Sequence, residues 1–161
     1  MTFNYDISLA TPNDIPGILM LQEPNLPDGG GSLSVRLTAD WFKNAIVEKS
    51  VVAGRRNGRV VGYVLGTSLA AKARVGIIQT MLPTFPPPPD CYLYGPVCVA
   101  ETERGKGLAG ALFESSASCW SCAGTLRPKA FAVVRLMTSS NLVACWTGNS
   151  AGWTPLRILS T

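Results

Sequence analysis

The apolar run Tyr92-Leu93-Tyr94-Gly95-Pro96-Val97-Cys98-Val99 is followed by a short polar stretch, then by Arg104-Gly105-Lys106-Gly107-Leu108-Ala109-Gly110, and then by Ala111-Leu112-Phe113. This order predicts a strand, a loop and a helix with a glycine-rich first turn, and it constrains the chain more than any other feature. The first turn of a helix carries backbone N–H groups with no partner inside the helix, at the positive end of its dipole. Glycine lets an anion approach those amides without meeting a Cβ, so the segment is a candidate cradle for a pyrophosphate. The alternative is a glycine-softened helix start that binds nothing.

Three phosphate-binding signatures compete for the segment. Walker A requires Ser or Thr after Gly-Lys, so that a hydroxyl can hold magnesium. Gly107 follows Gly105-Lys106, which rules it out. The dinucleotide fingerprint G-x-G-x-x-G is met by Gly105, Gly107 and Gly110, and an oxidoreductase function would rest on it alone. That fingerprint wants a strand running almost directly into the first glycine and an acidic residue roughly 20 positions on. Instead Ala100-Glu101-Thr102-Glu103 intervenes, and no Asp or Glu follows Glu114. The third signature is R/Q-x-x-G-x-G/A after a Val-x-Val strand. Val97 and Val99, then Arg104, Gly105, Gly107 and Ala109, then the apolar face Leu108, Leu112 and Phe113 match it in type, order and spacing. In this the chain resembles the GNAT family of N-acetyltransferases.

A second landmark lies near the end. Asn141, Ala144, Gly152 and Trp153 stand at the offsets of the family's N-x-x-A/S and Gly-aromatic positions, with Pro155 just beyond. The resemblance covers about residues 5–155. It implies an α/β (α+β) fold, a mixed, mostly antiparallel sheet flanked by helices and splayed at its central strands. It also implies acetyl-CoA as cosubstrate with no metal, held by Val97, Cys98, Val99, Arg104, Gly105, Lys106, Gly107, Leu108, Ala109, Gly110 and Asn141. The chain departs from the family at Gly148, where many members carry a Tyr that protonates the departing CoA thiolate. The C-terminal part therefore reads as atypical or truncated, and 115–161 lacks any acidic residue. Ser150, Cys145, Tyr94 and Cys98 are the candidate substitutes for the missing acid.

Along the chain, 5–10 alternates like a strand, and Thr11-Pro12-Asn13-Asp14 is a turn and helix-start signal before a helix at 15–22. The glycine-rich stretch 24–34 reads as a flexible loop. Thr38 is placed to cap a second helix over about 39–49, with Trp41, Phe42, Ala45 and Ile46 as its apolar face. Strands at 50–56 and 59–65 flank Asn57-Gly58, a strong hairpin signal. Residues 70–81 fit a short helix or an extended insertion, and the prolines of 82–90 a stiff connection. A helix over 107–123, ended by Gly124, a strand over 130–136 and a last helix after Asn141 complete the order.

A length of 161 residues with 47% apolar and 15% charged residues suits a single globular domain, here 1–161. The formal charge of +4 forms no dense basic run interleaved with aromatics, so nucleic acid is not an expected partner. No apolar run approaches the length of a membrane span, and the first residues lack the pattern of a signal peptide, so the expectation is a cytoplasmic protein off the membrane. Five cysteines, an odd number, point to reduced thiols. Cys119-Trp120-Ser121-Cys122 has redox spacing but falls late in a helix, and without histidine the chain can build neither a Cys/His zinc site nor a His-activated nucleophile.

Acetyl transfer to an amine needs a grip on the cofactor, polarisation of the thioester carbonyl, and a proton acceptor for the ammonium. The loop supplies the first and the backbone of 97–99 the second. For the third, Tyr94, Glu23 and Asp90 are the catalytic candidates, while Tyr92 suits sheet packing and Glu101 and Glu103 suit solvated loop charges. The expected partner is a small-molecule or peptide amine acceptor, with a homodimer as a further possibility. A GNAT-fold protein that binds CoA or acyl-CoA with weak or no turnover is the alternative.

Overall fold

The computed structural model describes residues 4–31, 33, 36–68, 83, 91–122, 130–132, 145–149 and 152–156. In chain order its elements are β1 (Asp6–Leu9), α1 (Ile15–Gln22), α2 (Ala39–Val47), β2 (Val51–Arg56), β3 (Arg59–Ser68), β4 (Cys91–Val99), α3 (Leu108–Cys122), β5 (Ala130–Ala132), β6 (Cys145–Asn149) and β7 (Gly152–Leu156). β1-β2-β3-β4-β5 is the strand order of the main sheet, and β6 and β7 form a separate pair. β1, β2 and β3 run antiparallel in turn, whereas β4 and β5 are parallel, so the sheet is mixed. The chain divides into two compact units, Met1–Leu65 with Pro96–Thr125, and Gly66–Gly95 with Leu126–Thr161.

The first unit follows its local signals. Thr11 donates from its backbone N–H and its hydroxyl to Asp14 Oδ2, at 2.6 and 2.8 Å, which shapes the turn before α1. Thr38 Oγ1 accepts the Trp41 N–H at 3.2 Å and caps α2. Asn57 and Gly58 take φ values of 51° and 74°, the left-handed pair that a tight β2–β3 turn demands.

Alternation along β2 and β3 sends side chains to two different layers. Ala53 faces Tyr63 and Val51 faces Leu65 across the ladder, and these four join Ile18, Leu21, Phe42, Ala45 and Cys98 in one buried cluster beneath α1 and α2. Phe42 meets Tyr63 edge to face at 5.7 Å. On the other face the cross-strand partners are Val52–Val64 and Gly54–Gly62. A Cβ on Gly54 would lie 3.1 Å from Leu108 and 3.3 Å from Leu112, and one on Gly62 at 3.0 and 3.1 Å. Two glycines side by side thus make a seat in the sheet for the first turns of α3, whose Leu108 and Leu112 are buried there.

Arg55, beyond a register shift in β2, ties this unit together. Its Nε and Nη2 donate to the two oxygens of Asp14 at 2.7 and 2.6 Å, and its Nη1 donates to Ser8 Oγ at 2.9 Å. Burial alone would raise the Asp14 carboxyl, but the hydrogen bonds from Arg55 and Thr11 outweigh it and hold it below the ordinary carboxylate value.

In the second unit Cys91, Tyr92 and Leu93 pair with Ala130, Phe131 and Ala132. Among the described residues that pairing runs to Leu93 and Ala132. β6 and β7 pair antiparallel, with Gly148 opposite Trp153 and Trp146 opposite Pro155.

Two expectations need correction. The last helix is absent over 145–149 and 152–156, which are strands. Trp146 and Thr147 favour extended backbone, Gly148 weakens a helix, and Pro155 is tolerated in a two-stranded edge pair. Residues 24–31 and 33 also carry more hydrogen bonds than the expected flexible loop over 24–34 requires. Tight turns at Glu23–Asn25 and Pro27–Gly29 are followed by a Leu33 N–H to Asn25 carbonyl bond of 2.8 Å. Gly29 and Gly31 lie directly on the backbone of residues 23–25, where a Cβ would collide. The segments 70–81, 84–90, 124 and 133–136 fall outside the described residues.

Candidate cofactor loop

β4 ends where the Ala100 N–H donates to the Val61 carbonyl at 2.8 Å. A tight turn, Glu101–Glu103, and a second turn over 104–107 then lead into α3. Gly105 and Gly107 adopt φ values of 73° and 81°, conformations that only glycine takes without strain. Among the described residues, a Cβ added to Gly105, Gly107 or Gly110 would meet nothing within 4 Å. The first bond of α3 runs from the Ala111 N–H to the Gly107 carbonyl at 3.0 Å. Among the described residues the amides of Gly107, Leu108, Ala109 and Gly110 have no acceptor in the protein. Unspent amides on a turn whose glycines leave room for a close approach give the geometry an anion needs.

Two side chains fasten the loop on either side. Glu103 is only 5% exposed. It accepts the Tyr5 hydroxyl at 2.8 Å and Arg56 Nη1 at 2.8 Å, and Lys106 Nζ lies 3.5 Å away. The Tyr5 hydrogen bond, then those of Arg56, hold its carboxyl below the usual range. Glu103 is therefore an anchor of the turn and not the solvated charge its polar neighbours suggested, whereas Glu101 is exposed. On the other side Arg104 Nη2 donates to Asn25 Oδ1 at 2.9 Å.

Cys98 is buried in the core, its Sγ 3.6 Å from the Leu21 carbonyl. Burial pushes the thiol up to about 11, so it is neutral near pH 7. Beside it the Tyr63 hydroxyl is buried, and burial, then the neighbouring Cys98, raises its pKa. Only the backbone of Cys98 is thus on offer to a ligand, with Val97 and Val99 half-buried on either side.

Glu23 follows α1 and forms an ion pair with Arg36, both side chains about half exposed. The base of this loop is closed by Gln22, whose Nε2 donates to the Leu37 carbonyl at 2.9 Å and whose Oε1 accepts the Leu37 N–H at 2.8 Å. Tyr92 and Tyr94 belong to β4, and Gly148 and Cys145 to β6. Asp90, Asn141, Ala144 and Ser150 lie outside the described residues. Asn25, Gln22, Tyr5 and Arg56 were not singled out from the sequence. Their roles depend on partners 15 to 98 positions away, and no local pattern carries that signal.

The sequence matches no family model, and no curated protein matches it. Solved structures do. The loading GNATL domain of CurA from Lyngbya majuscula aligns at TM-score 0.58 and 12% identity, over 83% of this chain and 65% of that one. Ard1 from Thermoplasma volcanium aligns at TM-score 0.58 and 16% identity, over 87% and 83%. N-acetylglutamate synthase from Neisseria gonorrhoeae, complexed with coenzyme A and N-acetyl-glutamate, aligns at 0.58 and 15%, over 83% of this chain and 26% of that one. The chain has the GNAT fold. Within it the expected order of strand, two helices, hairpin, strand, helix and strand is present, and the β6–β7 pair is where the GNAT expectation of a last helix fails. Among the described residues no helix is long and apolar enough to cross a membrane, and no cluster of His, Cys, Asp and Glu could hold a metal ion.

Proposed function

We propose that the protein is an acyl-CoA-dependent N-acetyltransferase, moving the acetyl group of acetyl-CoA directly to a primary amine of a small molecule or peptide. The observation that carries this reading is the loop 104–110 on a GNAT fold, with its unspent amides and its uncrowded glycines. The residues present fit the cofactor: two left-handed glycines, no Cβ in the way at Gly110, and the positive charges of Arg104 and Lys106. Bound acetyl-CoA would supply an activated thioester.

The chain's own groups divide the remaining work. The amides of Gly107, Leu108, Ala109 and Gly110 would hold the pyrophosphate, and the leucine contacts beneath α3 fix their spacing. The backbone N–H groups of 97–99 are the candidates for polarising the carbonyl. Removal of the ammonium proton falls to Glu23, Tyr94, Asp90 or a water chain. Because Cys98 is a buried, neutral thiol, transfer straight to the amine is favoured over an acyl-cysteine intermediate. Gly148 brings no phenol to the departing thiolate, and because it lies in a strand, a Tyr placed there would not be aimed by a helix.

Calorimetry with acetyl-CoA, CoA, NAD and ATP, followed by CoA-release assays over an amine library, tests the reading. Binding of acetyl-CoA and CoA with amine-dependent CoA release is the expected result. Binding of NAD or ATP alone, or of nothing, would overturn it, and CoA binding with no release for any amine would leave a binding protein in place of an enzyme.

A further inference from the structure

We propose that Asn25 is a positioning residue for Arg104, through which the turn after α1 sets the aim of the cofactor loop. The proposal rests on the reading of 104–110 as an acyl-CoA site. The Asn25 amide is used at both ends. Its Nδ2 donates to the Leu21 carbonyl at 2.7 Å, and its Oδ1 accepts Arg104 Nη2 at 2.9 Å. The same Leu21 carbonyl lies 3.6 Å from Cys98 Sγ, so the end of α1, strand β4 and the loop meet around one peptide group.

Asn25 is itself held in place. Its carbonyl accepts the Leu33 N–H at 2.8 Å, the Leu26 N–H returns to the Glu23 carbonyl at 3.2 Å, and Gly29 and Gly31 press on the backbone of residues 23–25 from outside. An exposed arginine on a loop loses rotamer freedom when it grips a phosphate. One donor fixed on Asn25 removes part of that cost beforehand and leaves the other guanidinium donors for an anion. Only a side chain with a donor and an acceptor can serve both partners. Aspartate would keep the acceptor for Arg104 and lose the bond to Leu21.

The test is CoA affinity by calorimetry, with thermal melts, for the wild type, Asn25→Ala, Arg104→Met, the double variant and Asn25→Asp. We expect Asn25→Ala to weaken CoA binding about fivefold, the worth of one ordinary hydrogen bond, and to add nothing once Arg104 is Met. Asn25→Asp keeps an acceptor for Arg104 but brings a negative charge beside the anion, so it should melt lower and bind CoA more weakly than Asn25→Ala, the difference shrinking as salt is raised. Equal weakening by Asn25→Ala in both backgrounds would mean that Asn25 acts on the fold and not on Arg104. Wild-type affinity in Asn25→Ala overturns the positioning role alone. A wild type that does not bind CoA overturns the acyl-CoA reading and this proposal with it.

Discussion

At Gly107 the backbone turns through φ 81° with nothing among the described residues within 4 Å of where a side chain would start. Gly107→Glu fills that space with a Cβ and a carboxylate, combining steric exclusion with like-charge repulsion of a pyrophosphate. The left-handed conformation adds roughly 1–2 kcal/mol of strain, which leaves most single domains folded. Calorimetry should show CoA binding abolished while circular dichroism shows the fold retained, and an unchanged affinity would remove this loop from the site. Gly31 has the opposite character. Its missing Cβ would overlap the Asn25 carbonyl, so Gly31→Ala must shift the turn that holds Asn25. The expected outcome is a loss of about 1–3 kcal/mol in urea melts, as for other overpacked sites.

Helix α3 sits on glycine, and its position follows from that. Gly62→Ala places a Cβ 3.0 and 3.1 Å from Leu108 and Leu112 and 3.2 Å from the Cys98 carbonyl, so the leucines or the helix that carries them must give by a few tenths of an ångström. We expect about 1–3 kcal/mol of destabilisation and weaker CoA binding together. Leu112→Ala, which leaves a cavity instead, should cost about 2–5 kcal/mol. Wild-type melting of Gly62→Ala would show that the helix seat is looser than the contacts imply. Much of this arrangement was legible beforehand. The glycine loop, α1, α2, the Asn57-Gly58 hairpin and α3 all carry strong local signals in caps, turns or periodicity. What was not legible depends on long-range partners. Nothing near Gly54 or Gly62 announces that they will stand opposite each other under a helix, and nothing near Glu103 announces Tyr5. In β6, weak helical propensity had to be weighed against a family landmark, and propensity prevailed. A run of glycines at 29–31 promises a loose chain, yet two of them permit close backbone packing.

Across the whole first unit, acid is the expected point of weakness. The folded-state pKa of Asp14 is depressed, and so is that of Glu103. Each therefore contributes stability that is present above the unfolded carboxylate value and is lost as pH falls through the folded one. Urea midpoints should stay level from about pH 8 to 5 and drop below about pH 4. Asp14→Asn should cost about 3 kcal/mol at pH 7, because Arg55 is left charged and half-satisfied, and should flatten the acid limb. An acid limb unchanged by Asp14→Asn would assign it to other carboxylates. The glycine seat beneath α3 has one more consequence, and it concerns disorder. Peptide groups have no rotamers, so a helix resting on bare backbone has little room to rattle on its support. The amides at its tip are spaced and pointed before any anion arrives, and the ordering that binding requires falls on the ligand more than on the protein.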